Sequence, residues 1–96
     1  MLVELKKLEI INEGHRRGVS INKIYVNPSH VISIRDYSGA NSFLLSEGKT
    51  SFADKKFSLV KMNNIQGVEE VIVVGTSKEI YESFNLNTQK KDILHG

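Results

Sequence analysis

The sequence predicts an α+β domain: an antiparallel β-meander of about five to six strands, forming a sheet or a partly open barrel, closed by one C-terminal helix. Three observations carry that expectation. Apolar and polar residues alternate over Val31–Tyr37 and Phe57–Met62, the period of half-buried strands. Turn-forming clusters such as Asn27-Pro28-Ser29 and Asp54-Lys55-Lys56 separate the alternating stretches. After Gly75 the period changes, with Ile80 and Phe84 one helical turn apart.

Leu2 to Ile11 mixes two registers, since Val3 and Leu5 alternate one way while Leu8 and Ile10 alternate the other. A bulge near Lys6-Lys7 reconciles them, because one extra residue flips every later side chain to the other face; a helix is the rival reading. Asn12 to Gly18 then reads as a polar loop with glycine near each end, and Val19–Val26 as a second strand. Pro28 ends that strand, having no amide to donate to a ladder. Over Val31–Tyr37 the pattern places Val31, Ser33, Arg35 and Tyr37 on one face and Ile32, Ile34 and Asp36 on the other. Ser38–Asn41 reads as a turn and Phe43-Leu44-Leu45 as a short strand ended by Glu47-Gly48-Lys49. Phe57, Leu59 and Lys61 oppose Ser58, Val60 and Met62, and Asn63–Gly67 is a loop.

Val71-Ile72-Val73-Val74 is apolar at four consecutive positions, the mark of a strand buried on both faces. One short helix covers part of one face only, so the pattern predicts barrel closure or a second subunit, and hence a homo-oligomer. Thr76 with Glu79 three residues later forms a capping box, which predicts a helix start there. The expected organisation is one domain over residues 1–85 and a loosely held tail over 86–96.

Composition narrows the function. Ninety-six residues suffice for one core, with 40% hydrophobic and 25% charged residues and mean hydropathy −0.23. The formal charge of +2 is too small for a dedicated DNA binder. There is no cysteine, which excludes disulfides, thiol nucleophiles and cysteine-ligated metals. The first residues have neither the basic start nor the apolar run of a signal peptide, and no stretch is long enough to span a bilayer, so a cytoplasmic protein is expected. Lys outnumbers Arg ten to three, with abundant Ile and Asn, as in AT-rich coding sources such as a low-GC bacterium or its phage.

The runs Leu2-Val-Glu-Leu-Lys-Lys-Leu8, Ile24-Tyr-Val-Asn-Pro-Ser-His-Val-Ile-Ser-Ile34 and Glu70-Val-Ile-Val-Val-Gly-Thr-Ser-Lys-Glu-Ile80 together resemble the small FlbD/SwrD-type flagellar proteins and similar short phage proteins. These share a short Leu-containing opening strand, an Asn-Pro turn before alternating isoleucines, and a valine-rich strand entering a Glu-rich helix. The resemblance covers Leu2–Phe84 and implies the fold. It implies no enzymatic activity and assigns no site residues. This chain departs from the pattern in a longer first loop, Asn12–Ser20, and an insertion around Ser38–Lys56, where a function of its own would sit.

No enzyme signature is present. His15, His30 and His95 lack an i+4 partner for a metal pair, and Gly48-Lys49-Thr50 lacks the upstream glycine of a phosphate loop. No metal, cofactor or catalytic residue is expected. The strongest candidate site is Gly14-His15-Arg16-Arg17-Gly18, where two arginine forks between glycines suit a phosphate. Arg35 and Tyr37 are the further candidates, Tyr37 as one of the aromatics (with Tyr25, Phe43, Phe52 and Phe57) that would stack on bases if they do not simply form the core. The leading expectation is therefore a non-enzymatic protein holding an anionic, nucleotide-like or nucleic-acid ligand through His15, Arg16, Arg17, Arg35 and Tyr37, with a phage-encoded host-defence antagonist as one setting. The rival is a protein–protein adaptor, flagellar or host-takeover in type, which contacts its partner through a strand edge or the Ser38–Lys56 insertion.

Overall fold

The computed structural model describes residues 1–85. Its strands are β1 (Val3–Glu13), β2 (Arg16–Val26), β3 (Val31–Asp36), β4 (Phe57–Asn64) and β5 (Gly67–Val74). A single 3-10 turn, Pro28–His30, joins β2 to β3. Two helices, α1 (Gly39–Ser46) and α2 (Thr50–Ala53), lie between β3 and β4, and α3 (77–85) follows β5. The strands form one antiparallel sheet in the order β2-β1-β5-β4-β3, which is a meander ring left open between β2 and β3. The α+β class and the C-terminal helix follow the sequence expectation, and the sheet does not close.

The two faces of the sheet are covered by different segments. On the first, Ile80 and Phe84 of α3 pack with Val3, Leu5, Val26, Val60, Val71 and Val73. On the second, Ala40 and Leu44 of α1 pack with Leu8 and Phe57, flanked by Ile72 and Val74. Successive strand residues face opposite ways, so Val71–Val74 is apolar throughout because α3 covers one pair and α1 the other. The second face, for which the sequence predicts a barrel or a second subunit, is covered by the segment between β3 and β4 of the same chain.

That segment is helical, where the sequence predicts a turn and a short strand. Ala40 and Leu44 are one helical turn apart and both buried, so the apolar residues follow the helical period. The stop is a Schellman motif: the Lys49 amide donates to the Leu44 carbonyl at 2.8 Å and the Gly48 amide to the Leu45 carbonyl at 3.1 Å. Gly48 takes φ +72°, the left-handed position that this cap needs. The Asn41 side-chain amide then donates to the carbonyls of Ala53 and Lys55, both at 2.7 Å, and ties α1 to the segment leading into β4.

Two further expectations are corrected. β1 pairs with β2 without a register break from Val3↔Val26 to Glu13↔Arg16, so no bulge lies at Lys6-Lys7. Val3 and Leu5 meet the α3 side and Leu8 the α1 side, so one regular strand serves two cores. The bulge is in β3, where the register against β4 shifts between Val31 and Ser33. Val31 and Ile34 therefore share the first face while Ile32 stands exposed.

The helix start is as expected. The Glu79 amide donates to Thr76 Oγ1 and the Thr76 amide to Glu79 Oε1, both at 3.2 Å. The tail over 86–96 lies outside the described residues.

Candidate functional site

The expected basic loop is a tight hairpin. Asn12 pairs with Arg17 and Glu13 with Arg16, which leaves Gly14-His15 as the turn, with Gly14 at φ +59°. Gly18 lies inside β2, opposite Ile11 in the ladder, and cannot offer a flexible cradle. Arg16 and Arg17 occupy adjacent ladder positions, which belong to opposite faces of a sheet. Arg17 Nη1 is engaged by Glu47 Oε1 at 2.7 Å. This pair ties the end of α1 to β2, with the Arg17 side chain still largely exposed.

Nor do the remaining candidates join that end. Tyr37 stands just before the N-cap Ser38 of α1, whereas Glu47, with Arg17, follows its last residue; the eight helical residues between them span about 12 Å. The Tyr37 ring packs on the second face with Phe43, Phe52 and Phe57. Those aromatics are core side chains and form no stacking platform, and Tyr25 stands apart on β2 with its hydroxyl 3.4 Å from Glu4 Oε1. Arg35 lies on β3, at the opposite edge of the sheet from Arg17, and shares a small recess with Ser33, Leu59, Lys61 and Glu70.

Sequence reasoning missed one concavity. A groove of about 600 Å³ runs between β3 and α3, with Pro28, Val31, Ile32 and Ile34 on one wall and Tyr81 and Phe84 on the other. Ile32 is 49% exposed and Tyr81 58%, so the groove presents apolar surface to solvent. Among the described residues, Lys78 is its only charged lining residue.

The backbone along this groove has unused hydrogen-bonding capacity. The Tyr37 amide donates to the Phe57 carbonyl at 2.9 Å. Bonded and non-bonded positions alternate in an antiparallel ladder, so Arg35 and Ser33 also bond toward β4. Ile34 and Asp36 consequently turn their amides and carbonyls toward the open edge of the sheet. A signal for part of this was present in the sequence, an apolar Tyr81 beside Ile80; the edge position of β3 had none.

At the upper end of the edge, Asp36 Oδ1 accepts the Ser77 amide at 2.8 Å. This bond to the first turn of α3, a bond with the Ser77 side chain and the nearby charge of Lys56 hold the Asp36 carboxyl below its ordinary value. Asp36 thus links the first turn of α3 to β3.

Among the described residues no helix is long and apolar enough to cross a membrane, and no group of three or more His, Asp or Glu is placed to hold a metal ion. A scan against protein-family models, a search of curated proteins and a search of solved structures each found no match for this chain.

Proposed function

We propose that this protein is a non-enzymatic adaptor that binds a partner protein by taking one of its extended segments along β3. The observation that carries this reading is the open edge at Ile34 and Asp36 beside an apolar groove walled by α3. An incoming strand would satisfy the free amides and carbonyls of the edge, and every second side chain would enter the groove.

Selection from a random peptide library against the purified protein tests it, with Ile34→Pro as the counter-target. The Ile34 amide faces outward, so proline there removes an edge donor without breaking a bond to β4. Ile34→Val keeps the amide and controls for the shortened side chain. Enrichment on the wild type and on Ile34→Val, and its loss on Ile34→Pro with an unchanged circular dichroism spectrum, is the expected result. No enrichment on the wild type, or enrichment indifferent to proline, ends the reading.

The anionic-ligand reading retains one observation. Lys55 and Lys56 line a cleft with Tyr37 and Ser38, close to the start of α1. Asp36 and Asp54 line the same cleft and cancel the two lysines in formal charge, which is why the adaptor ranks first. Calorimetric titration with ATP and with a short oligothymidylate distinguishes the two: micromolar binding lost in Lys55→Gln/Lys56→Gln favours the anion.

A further inference from the structure

We propose that the segment accepted by β3 is acidic, placing one apolar side chain between Ile34 and Tyr81 and carboxylates at the positions beside it; this inference rests on the adaptor reading above. The charges around β3 carry it. On the groove side the only charged lining residue among those described is Lys78, whose side chain is 85% exposed and whose ammonium lies 4.0 Å from Glu82. On the other side is Arg35, which is exposed and makes no ion pair with any described residue. Its neighbours in the recess, Lys61 and Glu70, stand opposite one another in the β4–β5 ladder. The one acid on β3, Asp36, already accepts the Ser77 amide. A strand laid along this edge thus meets Lys78 on the groove side and, on the face its flanking side chains reach, Arg35.

The bulge between Val31 and Ser33 fixes the length of the contact. Regular pairing is available from Ser33 to Asp36, so two outward-facing residues, Ile34 and Asp36, bond to the guest. Its central side chain enters the groove, and its neighbours, pointing the opposite way, reach the face that holds Arg35. Among the described residues, a second copy of this chain supplies no such strand. Its free edges are β3 itself and β2, and β2 carries Arg16, Arg17 and Lys23 with no acid.

The test uses a fluorescein-labelled, capped heptapeptide with leucine at its centre, glutamate on either side, and valine then threonine outward, beside a twin with lysine for both glutamates. Fluorescence anisotropy is read at low and physiological salt with the wild type, Arg35→Gln and Ile34→Pro, and sedimentation is run in parallel. The glutamate peptide should bind about three- to fivefold tighter than its twin, the size expected of one partly exposed ion pair. Arg35→Gln should erase most of that preference, added salt should compress it, and Ile34→Pro should abolish binding of both peptides. Equal affinity for the two peptides, both lost in Ile34→Pro, would overturn the acidic inference and leave the adaptor standing. No binding by either, with a wild-type dimer that Ile34→Pro dissociates, would give the edge to a second copy and overturn the inference. No binding by either with a monomeric wild type would overturn the adaptor reading as well.

Discussion

Leu44→Ala measures how far the fold depends on the segment between β3 and β4. Leu44 is fully buried on the second face, between Ala40 and the sheet residues Leu8 and Phe57. The substitution removes three carbons, about 2.4 kcal/mol of transfer free energy at roughly 0.8 kcal/mol each. The cavity left behind raises the total to about 3–4 kcal/mol, inside the usual range for a buried leucine. A domain of this size has about 5–15 kcal/mol of stability, so the variant should lose a large share of it. Its melting temperature should fall by on the order of 15–20 °C. Leu45, the next residue, is 61% exposed and supplies the control, with Leu45→Ala expected within about 0.5 kcal/mol of the wild type. Urea unfolding followed by circular dichroism reads both, with the slope checked for constancy. A cost below about 1 kcal/mol for Leu44→Ala, or equal costs for the two leucines, would refute α1 as the cover of the second face.

Thr76→Ala removes the hydroxyl that accepts the Glu79 amide and should lower stability by about 1 kcal/mol in the same urea assay. Arg17→Ala breaks an exposed pair with Glu47 and should cost no more than about 1 kcal/mol, with an effect that shrinks in salt; a double-mutant cycle with Glu47→Gln reads the coupling. Asp36 has its pKa lowered by the Ser77 amide, so its contribution is complete above the unfolded value of 3.8 and is lost as pH falls through the lower folded value. Asp36→Asn should therefore flatten the acid limb of the stability–pH curve below about pH 4 and leave its neutral region sloping as before. Ser58→Ala leaves the Gly75 carbonyl without the buried hydroxyl that donates to it at 2.7 Å, and thermal melts should show a loss of about 1–2 kcal/mol.

Local patterns were legible where one residue decides one contact. Thr76 and Glu79 announced the helix start, and the alternation over Phe57–Met62 placed Phe57 on one face and Val60 on the other, where the two clusters hold them. Three consecutive apolar residues at Phe43–Leu45 fit both periods, and the deciding feature was Gly48, the left-handed residue two positions past the last helical one. The doubled facing of β1 looked like a bulge because one cover was assumed, whereas two covers let a regular strand be buried on each side in turn. The basic loop was misread for a related reason. The ends of β1 and β2 project where no helix covers either face, so both faces are polar and the alternation that reveals a strand vanishes. The groove was beyond reach, since it needs β3 to be an edge, and strand order is set by pairings between distant parts of the chain.

The seam of this sheet has a bearing on how fast it can assemble. β1 with β2, and β3 with β4 and β5, are runs of sequence neighbours, and the β4–β5 hairpin closes on a turn of Ile65-Gln66. The halves meet where β1 lies against β5, in a ladder assigned at a single pair, Lys7↔Val73. Hairpins of this kind form within about 1–10 μs, whereas the seam must first draw the two ends of the chain together and bear the loop-closure entropy. The rate-limiting barrier should thus be the docking of two preformed sheets. Val73→Ala, at the seam, should slow refolding in proportion to its destabilisation, while Val19→Ala, far out on the hairpin, should mainly speed unfolding.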